Sequence, residues 1–276
     1  MSERIKKDFS NWLIVSDVDG TLNNKLRRLP KNNLEEINKF TQQLNGNFTL
    51  GSGRNIETLR KPYSKLPISC PAIVYNGAGL YDYKTEEFIS YHPIGEKGIK
   101  LVKAVTEKFP QIEIEICTKR ENYILNAKIF APIMAKFDKI KSNRYRHFEN
   151  VPKQDWAKVI FLGLPWQIKK LKKYLYDIKN PDVTFMSSSI VTFEMLDYGV
   201  NKGSAVLELA DLLGIDRKNT GAIGDYFNDY EMLKHVAVPA ACGQAPRGMH
   251  EIAKFHACHC NKGSVADFLR YIEANY

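Results

Sequence analysis

Short apolar runs at residues 12–15, 48–50 and 72–75 open the chain, each ended by Gly, Asp or Asn. Between them, residues 34–44 and 56–63 carry apolar positions at helical spacing. Brief, continuously apolar strands alternating with helices predict a parallel sheet covered on both faces. The same rhythm returns near the end, with a helix over 202–213, a strand over 220–224, a helix through Met232 and Leu233, a strand over 236–238 and a helix over 265–272. Between the two blocks the texture changes. Residues 111–116 alternate Gln-Ile-Glu-Ile-Glu-Ile, as a strand with one wet face does. Residues 123–125, 159–162, 183–186 and 190–196 also read as strands, with helices near 97–108 and 167–178. The expected fold is α/β, a doubly wound parallel-sheet core made by residues 1–80 and 199–276. An α+β domain of residues 81–198, an antiparallel sheet with helices on one face, is inserted into it. The joints are expected near Gly79 and Gly199.

Composition narrows the class. Of 276 residues, 44% are hydrophobic and 26% charged, which supplies a real core and an ordinary soluble surface. No apolar run reaches the roughly 18 residues of a membrane span, and the charged opening Met-Ser-Glu-Arg-Ile-Lys-Lys-Asp lacks a signal-peptide pattern. The five cysteines, odd in number in a chain this large, fit a reduced cytoplasmic protein. The net charge of +9 is spread out, with 20 basic against 15 acidic residues in 81–198. The densest run, residues 169–173, falls on a helix whose apolar positions Ile168, Leu171 and Leu175 share one face, so its lysines form the solvated face. Such a spread field suits a small phosphate ester at least as well as a nucleic acid.

Four distant segments stand just after a strand or at a helix start, where an open parallel sheet gathers its ligands. In Asp17-Val18-Asp19-Gly20-Thr21-Leu22, carboxylates two residues apart on extended chain project to one side. They repel unless a cation or a shared proton stabilises them, and together they supply a nucleophile and a proton carrier. Gly51-Ser52-Gly53-Arg54 offers a hydroxyl and exposed N–H groups to an anion. Lys202 opens a helix, where the dipole favours anions, a conflict that an anion bound between them removes. Gly224-Asp225-Tyr226-Phe227-Asn228-Asp229 crowds two carboxylates and an amide at a helix start, the hard oxygen donors magnesium prefers. Each alone has a plainer reading, as an Asp-Gly turn, a Gly-Ser turn, a solvated lysine or a helix cap.

Taken in order, the four segments resemble the haloacid dehalogenase-like superfamily over nearly the whole chain. Its DxDGT motif matches Asp17 to Thr21, its strand-two hydroxyl Ser52, its lysine Lys202, and its GDxxND motif Gly224 to Asp229. Asn76-Gly77-Ala78 and Asn261-Lys262-Gly263-Ser264-Val265 are similar to the Cof-type branch (subfamily IIB), which carries a large α/β cap on a Rossmann-like core. The resemblance implies a magnesium-dependent phosphatase with Asp17 as nucleophile and metal ligand. Asp19 would be the acid and base, its backbone carbonyl on the metal; Asp225 would be the other ligand, with Asp229 behind. Ser52, Lys202, Asn228 and the backbone of Val18 and Gly53 would hold the phosphoryl oxygens. The implied partner is a small phosphorylated metabolite, a sugar phosphate first, with neither nucleic acid nor membrane.

Two departures stand out. The family has Thr where Ser52 stands, and Gly-Asn-Ala where this chain has Cys242-Gly243-Gln244-Ala245. His256, Cys258, His259 and Cys260 look like metal ligands, but alternation along a strand would point neighbours apart, and no paired CxxC supports zinc. A sugar phosphomutase shares the catalytic motifs and is the enzymatic alternative; a binding protein on the same scaffold is the non-enzymatic one. In the cap, Arg144, Tyr145, Arg146, His147 and Trp156 are the substrate-selecting candidates.

Overall fold

The computed structural model describes residues 7–133, 142–178 and 182–276, so the opening residues 1–6 read above lie outside them. The chain starts with β1 (Leu13–Ser16), α1 (Lys31–Asn38), β2 (Asn47–Leu50), α2 (Ile56–Tyr63) and β3 (Ala72–Val74). All four residues of β1 are buried, because the strand is covered on both faces, as its unbroken apolar run requires. Ile14 joins the layer of Ile37, Phe268 and Ile272, while Leu13 and Val15 join Val206, Leu209 and Leu233 on the other face.

After β3 the chain adds an antiparallel meander, β4 (Gly79–Asp82) pairing with β3 and β5 (Glu87–Tyr91) pairing with β4. Gly79 therefore opens a strand beside β3, and the chain leaves for its second sheet only after Tyr91. That sheet is built with α3 (Glu96–Lys108), β6 (Glu113–Thr118), β7 (Asn122–Leu125), β8 (Ser142–Tyr145), β9 (Trp156–Leu162), α4 (Pro165–Ile178), β10 (Val183–Met186) and β11 (Thr192–Asp197). The chain returns through α5 (Lys202–Leu212), β12 (Thr220–Gly224), α6 (Tyr230–His235), β13 (Val238–Ala241), α7 (Arg247–His250), β14 (Phe255–His256) and α8 (Ser264–Asn275). The strand expected at 236–238 begins only at Val238, because the turn before it is tied by Ala237 N–H to Thr220 Oγ1.

The core sheet runs β14-β13-β12-β1-β2, all parallel, with β3 touching β2's end through one bridge between Gly51 and Ile73. This is the doubly wound core expected from the alternation. The inserted sheet has six strands in the order β10-β11-β9-β6-β7-β8, antiparallel except for β7 with β8. Helices α3 and α4 cover one face through Leu101, Val105, Leu171 and Leu175. Its other face is not wet: Glu113, Glu115, Lys158 and Glu194 are all buried. The alternation of residues 111–116 is real, but Lys158 and Glu194 bond to the core, and Glu115 lines the cavity with its Oε1 on Asn122 Nδ2 of the cap.

The outgoing and returning segments of this cap lie side by side. Gly95 N–H donates to Asp197 Oδ1 at 3.2 Å, and Gly199 follows with φ +75° in open space.

Candidate active site

Each catalytic candidate is placed by a strand end. Asp17 follows β1, its N–H bonded to Ile223 O of β12 at 3.0 Å, which carries the ladder one residue past the strand. Its carboxylate is buried and accepts from Lys202 Nζ at 2.6 Å. Lys202 is the first residue of α5, whose N-terminus is fixed by a capping box between Asn201 and Ser204. Its ammonium has no solvent exposure and also donates to Asp229 Oδ1 at 2.6 Å. The anions that reconcile this lysine with its helix dipole are therefore the protein's own carboxylates. Asp229 uses its second oxygen to accept the N–H groups of Asp225 and Tyr226, at 3.0 and 3.3 Å.

Asp225 closes the group. Its oxygen, with those of Asp17 and Asp229, falls in a set within 4.8 Å of one another, the only such group of three found among the described residues. The His256–Cys260 stretch forms none; its strand ends at His256, and Cys260 lies buried in a helical turn. Burial, and next the Asp229 charge, raise Asp17 well above the usual carboxylate range against the pull of Lys202. The same two causes push Asp225 up to about 6. Burial alone would depress Lys202, but the charges of Asp17 and Asp229 outweigh it and raise its pKa. One buried ammonium among three carboxylates leaves negative charge unbalanced, and hard oxygens this close fit a divalent cation such as magnesium.

Gly20 permits the packing: its φ is +84°, and a Cβ there would fall 2.3 Å from Asp225 Oδ2. The departure at residue 244 is also accommodated. Gln244 Nε2 donates to Gly20 O and Asp225 Oδ2, and its Oε1 accepts the Cys260 N–H at 3.0 Å. This amide thus ties together the first and fourth motifs.

Asp19 stands at the mouth of the site, gripped by Arg54 through both oxygens, Nε to Oδ2 at 2.7 Å and Nη2 to Oδ1 at 2.6 Å. Ser52 is buried, its N–H on Ile73 O and its hydroxyl accepting the Arg54 N–H. A cavity of about 390 Å³ gathers Asp17, Asp19, Ser52, Gly53, Asp225 and Asn228 on its core wall. Lys202 and Asp229 lie behind Asp17, and the Val18 side chain is in the core cluster.

The cap wall is lined by residues the sequence did not single out, Glu115, Asn122, Lys158, Ser188 and Glu194. One signal was present: Lys158 is the lone charge in the apolar strand Trp156–Leu162. The cap candidates named from sequence do not line this cavity. Trp156 is buried in the cap cluster with its Nε1 on Pro152 O. Tyr145 packs edge-on against Tyr123, and Arg144 and Arg146 are exposed. Arg54 and Asn76 were likewise missed as site residues. No helix among the described residues is long and apolar enough to cross a membrane.

Comparison with known proteins identifies the family and the fold. The haloacid dehalogenase-like hydrolase family matches residues 14–269. The HMP-PP phosphatase of Enterobacter sp. (strain 638) is 23% identical over 266 residues, 94% of each chain. A haloacid dehalogenase-like hydrolase from Bacteroides thetaiotaomicron superposes with a TM-score of 0.83 at 20% identity, over 95% of this chain and 99% of that one. The subclass IIB sugar phosphatase BT4131 gives a TM-score of 0.80 at 18% identity, covering 95% and 99%. With the family matched from β1 to α8 and the acidic cluster at its strand ends, the chain belongs to the haloacid dehalogenase-like hydrolases, among their phosphatases.

Proposed function

We propose that this protein hydrolyses a small phosphate monoester, a sugar phosphate first, through an aspartyl-phosphate on Asp17. The observation that carries the reading is the buried chain Asp17–Lys202–Asp229 with Asp225 alongside. Lys202 holds one oxygen of Asp17, which orients the carboxylate and leaves its other oxygen to attack phosphorus. As the new O–P bond forms, the ester P–O bond breaks and Asp19 gives its proton to the departing oxygen. Asp19 then takes a proton from the water that attacks the aspartyl-phosphate, releasing phosphate and restoring Asp17. Both oxygens of Asp19 are held by Arg54 here, so turnover requires that pair to open. Ser52, Asn228 and the N–H groups of Val18 and Gly53 hold the phosphoryl oxygens, with Lys202 supplying positive charge from behind.

Asp17 and Asp225, with the backbone carbonyl of Asp19, would hold Mg²⁺; Asp229 is already satisfied by Lys202 and two N–H groups. When bound, the ion neutralises charge on the transferring phosphoryl group and orients it. A 390 Å³ cavity is at the small end for ligand sites and supports a small substrate. Five free thiols support a reduced, cytoplasmic setting.

The test is phosphate release from sugar phosphates, nucleotides and pyridoxal phosphate, with and without Mg²⁺, by wild type and Asp17→Asn. Magnesium-dependent release that the substitution abolishes supports the reading. Release only with an activating bisphosphate would mark a phosphomutase, and folded protein inert on every ester would sink the hydrolytic reading.

A further inference from the structure

The cap wall of the cavity is polar, and the plain expectation for such a wall is that it grips the substrate's leaving group. Its hydrogen bonds point elsewhere. Strand pairing sets Glu115, Ile160 and Glu194 in one row across β6, β9 and β11, with Lys158 one pleat along the same face. Lys158 and Glu194 are buried and paired at 2.9 Å. Lys158 Nζ also donates to Gly53 O at 2.8 Å, across to the core. Glu194 Oε2 accepts from Asn76 Nδ2 at 2.8 Å, again across to the core, and its Oε1 accepts from Ser188. Both oxygens of Glu194 and two of the three ammonium protons of Lys158 are thus already used by protein.

The core groups they reach lie on two segments tied to each other, after β2 and after β3. Gly53 lies in the Gly51–Arg54 turn, and the Asn76 N–H donates to Ser52 O at 2.9 Å. Asn76 lies flat against Gly53, close enough that a Cβ on Gly53 would fall 2.8 Å from its Oδ1. The Asn76 backbone has φ +57°, a left-handed conformation that a non-glycine residue holds only when its neighbours fix it. Gly53 is therefore gripped at its carbonyl by Lys158 and over its Cα by an amide that Glu194 holds.

We propose that Lys158 and Glu194 are positioning residues: their buried ion pair shapes the Ser52–Gly53 phosphate loop when the cap is down, and does not select the leaving group. This rests on the phosphatase reading above. Cap closure and phosphate binding are then one event, because the loop takes its working shape only with the pair seated on it.

The experiment compares wild type, Lys158→Met and Glu194→Gln on phosphoryl donors with unlike leaving groups, glucose 6-phosphate, p-nitrophenyl phosphate and acetyl phosphate. Orthovanadate affinity is measured by calorimetry alongside. A positioning role predicts that Lys158→Met lowers kcat/KM by ~100-fold on all three, the scale of a misplaced catalytic loop, and weakens orthovanadate in step. Glu194→Gln, which keeps the shape and loses the charge, should show the same uniform pattern with a smaller loss, and it decides the matter where Lys158→Met does not fold. A loss confined to glucose 6-phosphate would overturn the proposal in favour of leaving-group recognition. A lowered Tm with kcat and orthovanadate affinity unchanged would overturn it in favour of a merely structural pair. Folded wild type inert on these three and on the whole panel above is a different result, and it refutes the hydrolytic reading itself.

Discussion

On the core wall of the cavity, Asp17, Ser52 and Asp225 each stand just past the carboxyl end of a parallel strand. On the cap wall, Glu115, Lys158 and Glu194 stand in mid-strand on the face of an antiparallel sheet. The core groups are set by turns at strand ends, so each is specified by its immediate neighbours, as Gly20 is beside Asp19. The cap groups are set by register, and one residue of slippage would swing each of them to the α3–α4 side of the sheet. Charge is handled differently too. Around Asp17, one ammonium faces three carboxylates and the site is left acidic, a state that invites a cation. In the cap, Lys158 and Glu194 form a neutral pair, and Glu115 is held separately by the Asn122 amide. The acidic wall is built for chemistry and the neutral pair for fit.

The sharpest way to break this contrast is Asp17→Asn. It keeps the shape and removes the proposed nucleophile, so kcat should fall by about 10⁴-fold or more with the melting curve little changed. A variant retaining a tenth of the activity would show that another group attacks. Next, Lys202→Met strands Asp17 and Asp229 as buried, uncompensated charges. A loss of about 3–5 kcal/mol in urea unfolding is expected, together with a fall in kcat. A stability change under about 1 kcal/mol would show that the lysine was not balancing them.

On the cap side the equivalent anchor is Glu113, whose carboxylate accepts four backbone N–H groups, from Lys128, Ile129, Phe130 and Ala131. Burial works against its charge, but the four donors outweigh it and hold its pKa below the usual range. A depressed folded pKa contributes stability above the unfolded value of about 4.3, lost as pH falls through the folded value. Glu113→Gln should therefore cost about 2 kcal/mol at pH 7, and its Tm should converge on wild type as pH drops below about 4. A gap that is independent of pH would contradict the carboxylate's role. The smallest effect is expected from Arg144→Ala and Arg146→Ala, which should change kcat/KM by less than about twofold, since both side chains are exposed and off the cavity. A tenfold change in substrate preference would move the selecting surface to β8.

The same contrast explains what could be read from the chain. Asp17, Asp19, Ser52, Asp225 and Asn228 were visible because strand, turn and functional residue are contiguous, and the structure brings them to one cavity. Glu113 and Glu115 gave a correct alternation and a wrong environment. Period two reports that a face is polar, and cannot say whether water or protein lies against it. Lys158 and Glu194 stand 36 positions apart in sequence and meet only because β9 and β11 pair in a given register. The β4–β5 hairpin after Gly79 was hidden for a similar reason, since it depends on pairing with β3. Aromatic and basic residues in the cap were a poor guide, because Trp156 and Tyr145 serve its packing.

The outgoing and returning segments, joined by Gly95 N–H on Asp197 and followed by the open, left-handed Gly199, carry a mechanical consequence. Two tethers rooted a hydrogen bond apart cannot brace the cap against rotation about their common root, though they resist its sliding away. The same geometry brings the two ends of the insertion within a hydrogen bond of each other, so a short linker would span them.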